Sequence, residues 1–230
     1  MSASPVTKEL IAHKDEKYKE FQSSLLPGIE NVLGVRAPMV KAIAKGYANT
    51  DEGNRFITSV PHTYYDENML HGYMLGFLKL DTDELKARIT DFLPYIDNWA
   101  VCDSTVSNLK NFFKNPDSVY GFIKELAFDS REYHIRFALV SMLCYYLNET
   151  HIDEILHIVR KINDERYYVR MAQAWLVSVA MVKYYDKTVK ILEDNALSPW
   201  VHNKSIQKSR ESFRLDSEKK RYLASLKRKA

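Results

Sequence analysis

Apolar residues recur at three- and four-residue spacing along almost the whole chain, the period of an α-helix with one buried stripe. Leu10, Ile11, Tyr18, Phe21, Leu25 and Leu26 fall on one such stripe, predicting a single helix from Thr7 to Leu26 that ends at Pro27-Gly28. Pro38 starts a short helix, Met39 to Lys45, with Gly46 as its C-cap. Further helices are predicted over Asp66–Lys79, Glu84–Leu93, Asn98–Phe113, Asp117–Phe128, Arg131–Leu147, Thr150–Ile162, Glu165–Tyr185, Asp186–Asn195, Trp200–Phe213 and Lys219–Lys229. Cap residues support several starts: Asp81 to Asp83, the pair Ser198-Pro199, and Asp216. No run of alternating β-branched residues bounded by turns is present. The prediction is all-α, with consecutive helices antiparallel across short connections.

Two segments repeat loosely. Arg131-Glu-Tyr-His-Ile-Arg136 and Glu165-Arg-Tyr-Tyr-Val-Arg170 share a charged, aromatic, aliphatic, arginine order, and Arg136 and Arg170 lie 34 residues apart. That period fits one helix pair per repeat, an α-solenoid built as a curved stack of antiparallel helix pairs. An irregular helical bundle is the competing architecture.

Composition narrows the class. The 230 residues are 46% hydrophobic and 27% charged, which excludes disorder as the main state and suits one large domain or two small ones. One domain over 1–230 is the expectation. Seven Gly and seven Pro are too few for a turn-rich β-sandwich. Cys102 and Cys144 cannot form a disulfide scaffold and carry no C-x-x-C metal spacing. The longest apolar run, Ala174 to Val182, is well short of the ~20 residues that span a bilayer. Met1 to Glu9 lacks the apolar stretch of a secretory signal. The expectation is a soluble, cytoplasmic protein without a bound metal or other cofactor.

Charge is uneven. From Ser198 to Ala230 ten basic residues face three acids, a net +7, whereas the rest of the chain carries −4. Such asymmetry points to a polyanion-facing surface, against the plainer reading of a solvated terminal helix. Lys204 and Lys208 share a helix face, with Arg214 further along, in the manner of phosphate contacts that position without reading bases.

No phosphate-binding glycine loop, zinc-protease motif or nucleophile elbow occurs. Histidines are scattered, and His151 and His157, six apart, read as surface residues. The informative segment is Asp97-Asn-Trp-Ala-Val-Cys-Asp103. Trp99 and Asp103, at i and i+4, place an indole beside a carboxylate on one helix face. Such a wall suits a cation or a cation-like transition state, because ring face and carboxylate both attract positive charge. Core packing of Trp99 and a capping role for Asp103 compete with that reading. Arg136 and Arg170, early in their helices, oppose the macrodipole, and each is placed to meet a phosphate or to hold Asp103. Trp175 reads as core on its own.

Five segments in order carry a resemblance: Leu33 to Val40, Asp97 to Asp103, Arg136-Phe-Ala, Tyr168-Val-Arg-Met-Ala-Gln-Ala-Trp175, and Asn203 to Ser212. Together they resemble the bacterial DNA alkylation repair proteins of the AlkD type, HEAT-like repeat DNA glycosylases, over nearly the whole chain. The resemblance implies a HEAT-like α-solenoid holding double-stranded DNA, as a monomer, and excision of cationic bases, chiefly N3-methyladenine and N7-methylguanine. It assigns Trp99 and Asp103 to the catalytic Trp-x-x-x-Asp, Arg136 to the catalytic-site arginine and Trp175 to a second tryptophan of the cleft. Arg36, Arg170, Lys204, Lys208 and Arg214 are then expected DNA contacts.

One segment departs from that pattern. Active relatives carry aromatic and basic groups on a short helix before Gly-Val-Arg, and no aromatic or basic residue stands between Gln22 and Arg36 here. A branch of the family lacks this helix and has no shown excision of ordinary alkylated bases. The spacing of Tyr18 and Phe21, slightly earlier, fits the core. The functional expectation is an alkylpurine DNA glycosylase. Its alternatives are a non-catalytic DNA-binding relative that reads DNA shape, and a helical scaffold for protein.

Overall fold

A computed structural model describes residues 4–229. Among them are fourteen α-helices and no strand. The N-terminal three residues and Ala230, the ends of the span expected to form one domain, lie outside the described residues. The chain divides into two compact units, 1–115 and 116–230.

In the first unit the helices are α1 (Pro5–Ala12), α2 (Glu16–Ser24), α3 (Ala37–Tyr47), α4 (Asp51–Thr58), α5 (Tyr65–Leu75), α6 (Thr82–Phe92) and α7 (Trp99–Asn108). In the second they are α8 (Pro116–Leu126), α9 (Glu132–Ser141), α10 (Ile152–Lys161), α11 (Tyr167–Lys183), α12 (Tyr185–Glu193), α13 (Pro199–Glu211) and α14 (Ser217–Ser225). Alternate helices stack directly: α3 on α5 on α7 in the first unit, and α9 on α11 on α13 in the second. Solenoid-like packing of this kind gives the middle helix of each stack, α5 or α11, a stacked neighbour on either side. All eleven residues of α5 are accordingly buried.

Three predicted boundaries need correction. The helix expected from Thr7 to Leu26 is two helices. Asp15 breaks it by accepting a hydrogen bond from the Tyr18 amide at 3.0 Å, so the chain restarts although the apolar stripe runs on. Gly46 lies inside α3 rather than at its cap. The turn is made by Asn49 (φ 64°), whose side chain bonds Phe77 O and Lys79 N across to the end of the α5 region. Helix α4 was not predicted, because only Phe56 and Ile57 mark its apolar face together with Gly53; Thr50 caps it and Asp51 and Glu52 suit its N-terminal dipole.

Two glycines one turn apart let α5 and α7 approach closely. A Cβ on Gly72 would sit 2.0 Å from Thr105 Oγ1, and one on Gly76 2.1 Å from Asn108 Nδ2. Asn108 Nδ2 in turn donates to Tyr73 O at 2.8 Å. Behind α5 lies a neutral histidine pair. His62 Nε2 and His71 Nδ1 are 2.9 Å apart, His71 is stacked 3.8 Å from Phe92, and His62 is stacked 4.3 Å from Phe56. Burial pushes the pKa of His62 down to about 4 and that of His71 well below the usual histidine range.

The second unit is tied by a repeated Asp-x-Arg device. Asp129 pairs with Arg131 and Asp164 with Arg166, each immediately before an inner helix, α9 or α11. Arg166 also reaches back to Ser130 O at 2.8 Å, and Glu132 accepts from the Tyr168 amide at 3.1 Å. The structural period is therefore 35 residues, one more than the Arg136–Arg170 spacing. Those two arginines are not equivalent, for Arg136 is the fifth residue of α9 and Arg170 the fourth of α11. His151, expected at the surface, is buried against Tyr120 and Tyr146, with Nδ1 2.9 Å from Asn148 Oδ1. His157 is exposed as expected.

Candidate functional site

Helix α7 carries the first group of candidate residues. Asn98 starts it by accepting from the Val101 amide at 3.0 Å, and is itself buried. Trp99 is the first helical residue and Asp103 follows one turn later; both are half-buried. The indole Nε1 of Trp99 donates to Leu25 O, at the C-cap of α2, at 3.0 Å. This fixes the ring between α2 and α7 with the carboxylate on the same face. A recess of about 150 Å³ opens beside it, lined among others by Tyr18, Gln22, Tyr65, Met69, Trp99 and Ser104. Gln22 Nε2 donates to Tyr65 Oη at 3.2 Å on its wall.

Helix α2 does not bury the residues its spacing suggested. Phe21 is 58% exposed and Leu25 42% exposed, so the expectation that Phe21 belongs to the core is overturned. The helix is too short and too polar to close over its apolar residues, and only Gln22 is buried. Tyr18 is half-buried and lies under the Arg36 guanidinium, 4.9 Å from Cζ to ring centre. Arg36 is exposed and pairs with Asp15 at 2.9 Å. The Tyr18 amide, followed by Arg36, holds the Asp15 carboxyl below its ordinary pKa. A phosphate at Arg36 has to compete with that carboxylate.

The second unit holds the other candidates. Arg136 is 6% exposed, donating from Nη1 to Tyr168 O at 2.8 Å. Trp175 is half-buried midway along α11, and its backbone carbonyl accepts from the Ser178 hydroxyl. Arg170 pairs with Glu165 at 2.9 Å and lies over the Trp200 ring, 4.8 Å from Cζ to ring centre. Lys204 approaches the same ring at 5.9 Å. Thus Arg170 and Lys204 are brought together, with Trp200 between them. Lys208 is half-buried on the same helix, and Arg214 is exposed in the turn after it.

Trp200 was not among the expected site residues, where it served only as a helix start. A signal existed: an aromatic residue stands second in each of α9, α11 and α13, as Tyr133, Tyr168 and Trp200. Among the described residues no helix is long and apolar enough to cross a membrane. A protein-family model described as DNA alkylation repair enzyme matches residues 6–208. No curated protein matches the chain.

Proposed function

The chain belongs to the DNA alkylation repair enzyme family, and on that premise we propose that it is a DNA glycosylase releasing cationic alkylated purines, N3-methyladenine and N7-methylguanine, from double-stranded DNA. The alkylated base carries a positive charge and leaves readily as a neutral purine. What the protein must add is stabilisation of the sugar, which becomes an oxocarbenium ion as the N-glycosidic bond breaks. The Asp103 carboxylate opposes that charge and orients the water whose oxygen bonds to the sugar carbon. Trp99 presents its ring to the deoxyribose.

The observation that carries this reading is the placement of Trp99. Its N–H is held by a backbone carbonyl of α2, and Asp103 shares its helix face one turn on. Phe21 and Leu25 are exposed apolar residues at the C-terminal end of α2, the helix whose C-cap carbonyl holds Trp99, just before the 23–33 stretch that alone suggested an absent lesion-contacting helix.

Arg136, buried against Tyr168 in the second unit, is the arginine that the family resemblance assigns to the catalytic site. Arg170, Trp175, Lys204, Lys208 and Arg214, with Arg36 of the first unit, contact DNA. Residues 1–230 act in this reading as one DNA-binding domain.

The test is release of N3-methyladenine and N7-methylguanine from methylated duplex, measured beside Asp103→Asn. Removing one preorganised electrostatic partner costs roughly 10²–10³-fold in rate, with duplex affinity and unfolding midpoint retained. No release by the unaltered chain, alongside tight and salt-dependent duplex binding, decides for the non-excising DNA-binding alternative.

A further inference from the structure

The inner helices of the second unit build a ladder of rings and cations. Tyr168 lies under Arg136, 5.9 Å from Cζ to ring centre, and Trp200 under Arg170 at 4.8 Å. The rings follow one another too: Tyr133 to Tyr168 at 5.9 Å, and Tyr167 to Trp200 at 5.9 Å. In each step a ring on one helix is covered by a guanidinium from the preceding one. Lys204 on α13 is the next cation in this order; the ring it approaches is that of Trp200 on its own helix, at 5.9 Å, and among the described residues no helix after α13 brings a ring to it as α11 and α13 do for the arginines.

A recess of about 450 Å³ stands in that place, lined by Pro199, Trp200, Asn203, Lys204, Gln207 and Lys227. Its size is that of a small-ligand site. Two ammonium groups and no acid line it. Lys227 comes from the segment after α14, outside the family match at 6–208. That segment is clipped down. Asn203 Nδ2 donates to Arg228 O at 3.0 Å, and the Arg228 amide donates to Asn203 Oδ1 at 3.0 Å. His202 Nε2 donates to Leu226 O at 2.8 Å.

We propose that this recess is a nucleotide subsite. An unpaired base takes the place of the missing ring, against Trp200 and Pro199, and its phosphate rests on Lys204 and Lys227. Stacking on an indole accepts any base, and two ammonium groups meet a phosphate as point charges. The amides are already engaged: Asn203 with the backbone of Arg228, and Gln207 with Lys204 Nζ at 3.1 Å and Glu211 Oε1 at 3.0 Å. The subsite therefore tolerates every base. Its chemistry does not depend on the glycosylase reading, which bears only on whether the nucleotide comes from a DNA strand or from solution.

The full chain is titrated with a blunt duplex, with the same duplex carrying a short single-stranded overhang, and with deoxyadenosine monophosphate. Binding is read by anisotropy and by tryptophan fluorescence. The overhang raises affinity roughly tenfold. Lys227→Gln abolishes that gain and leaves blunt-duplex affinity and base release unchanged. Quenching by the mononucleotide disappears in Trp200→Phe. Quenching without an overhang preference supports the same site with a free nucleotide as its occupant. Equal affinity for both duplexes with no quenching overturns the proposal, as does an overhang preference that survives Lys227→Gln. Loss of base release alone counts against the glycosylase reading and leaves this result standing.

Discussion

Trp99 and Trp200 are both half-buried indoles at the start of a helix, and they are held by opposite parts of the ring. Trp99 is fixed through its N–H, by a carbonyl of α2, and its charged neighbour along the helix is Asp103. Trp200 is fixed through its face, by Arg170 and Lys204. The first arrangement sets a carboxylate on the same helix face as an aromatic ring, a pairing that suits a cation. The second places positive charge on the ring and leaves an edge and a recess for an anion. On the two proposals above, the same residue type serves cation chemistry in one unit and anion recognition in the other.

Four changes break or sharpen this contrast. The largest effect is expected at the support of α7. Gly72→Val puts a branched side chain where Thr105 already stands, lowering stability by about 3 kcal/mol or more. Urea unfolding reads the loss, and base release falls with it because α7 moves.

Acid comes next. His62 and His71 are neutral in the fold because burial lowers both pKa values. The unfolded chain therefore binds protons first. The contribution of His62 is complete above the ordinary histidine pKa of about 6.5 and is lost as pH falls through about 4, and His71 acts in the same direction. For His62 that loss is roughly 3 kcal/mol. A urea midpoint that does not fall between pH 6.5 and 4 contradicts this assignment.

Arg136→Ala removes a buried guanidinium from the Tyr168 carbonyl and ring, costing about 2 kcal/mol in unfolding free energy. If Arg136 positions the catalytic site, base release falls by more than the lost fraction of folded protein. Release at the folded-protein rate removes it from that role. The smallest effect belongs to Lys208→Ala, which takes away one phosphate contact. Duplex affinity drops about threefold for all sequences alike, and the slope of log affinity against log salt falls by about one.

Helix type was legible almost throughout, because α5, α9 and α11 are rich in apolar residues and the polar α13 is announced by its Ser198-Pro199 start. Breaks inside a continuous stripe were not. The apolar pattern skips one turn at His13 to Lys17 and resumes in register at Tyr18, so the division of α1 from α2 at the His13 C-cap and the Asp15 capping bond is masked. The same stripe made Phe21 look internal, since periodicity states which residues share a face and not whether another element covers it. The Trp99 and Asp103 pair could be read because both lie on one helix, four residues apart. The ladder through Trp200 could not be read from any single motif. Its arginine–ring and ring–ring contacts between helices join residues thirty or more positions apart, and the recess at its end depends on Lys227, from a segment with no apolar stripe of its own.

The clip between Asn203 and Arg228 has a practical bearing on where this protein can be cut. The family match ends at 208, within α13, and a chain ended there invites treatment as the functional piece. Such a truncation strips the partner carbonyl from His202, which is wholly buried. It also removes α14 with its buried Leu223. A shortened product is therefore expected to express poorly. Tags and fusions belong at the opposite terminus, because the last turn here acts as a fastening of the preceding helix, stitched in from beyond the inherited boundary.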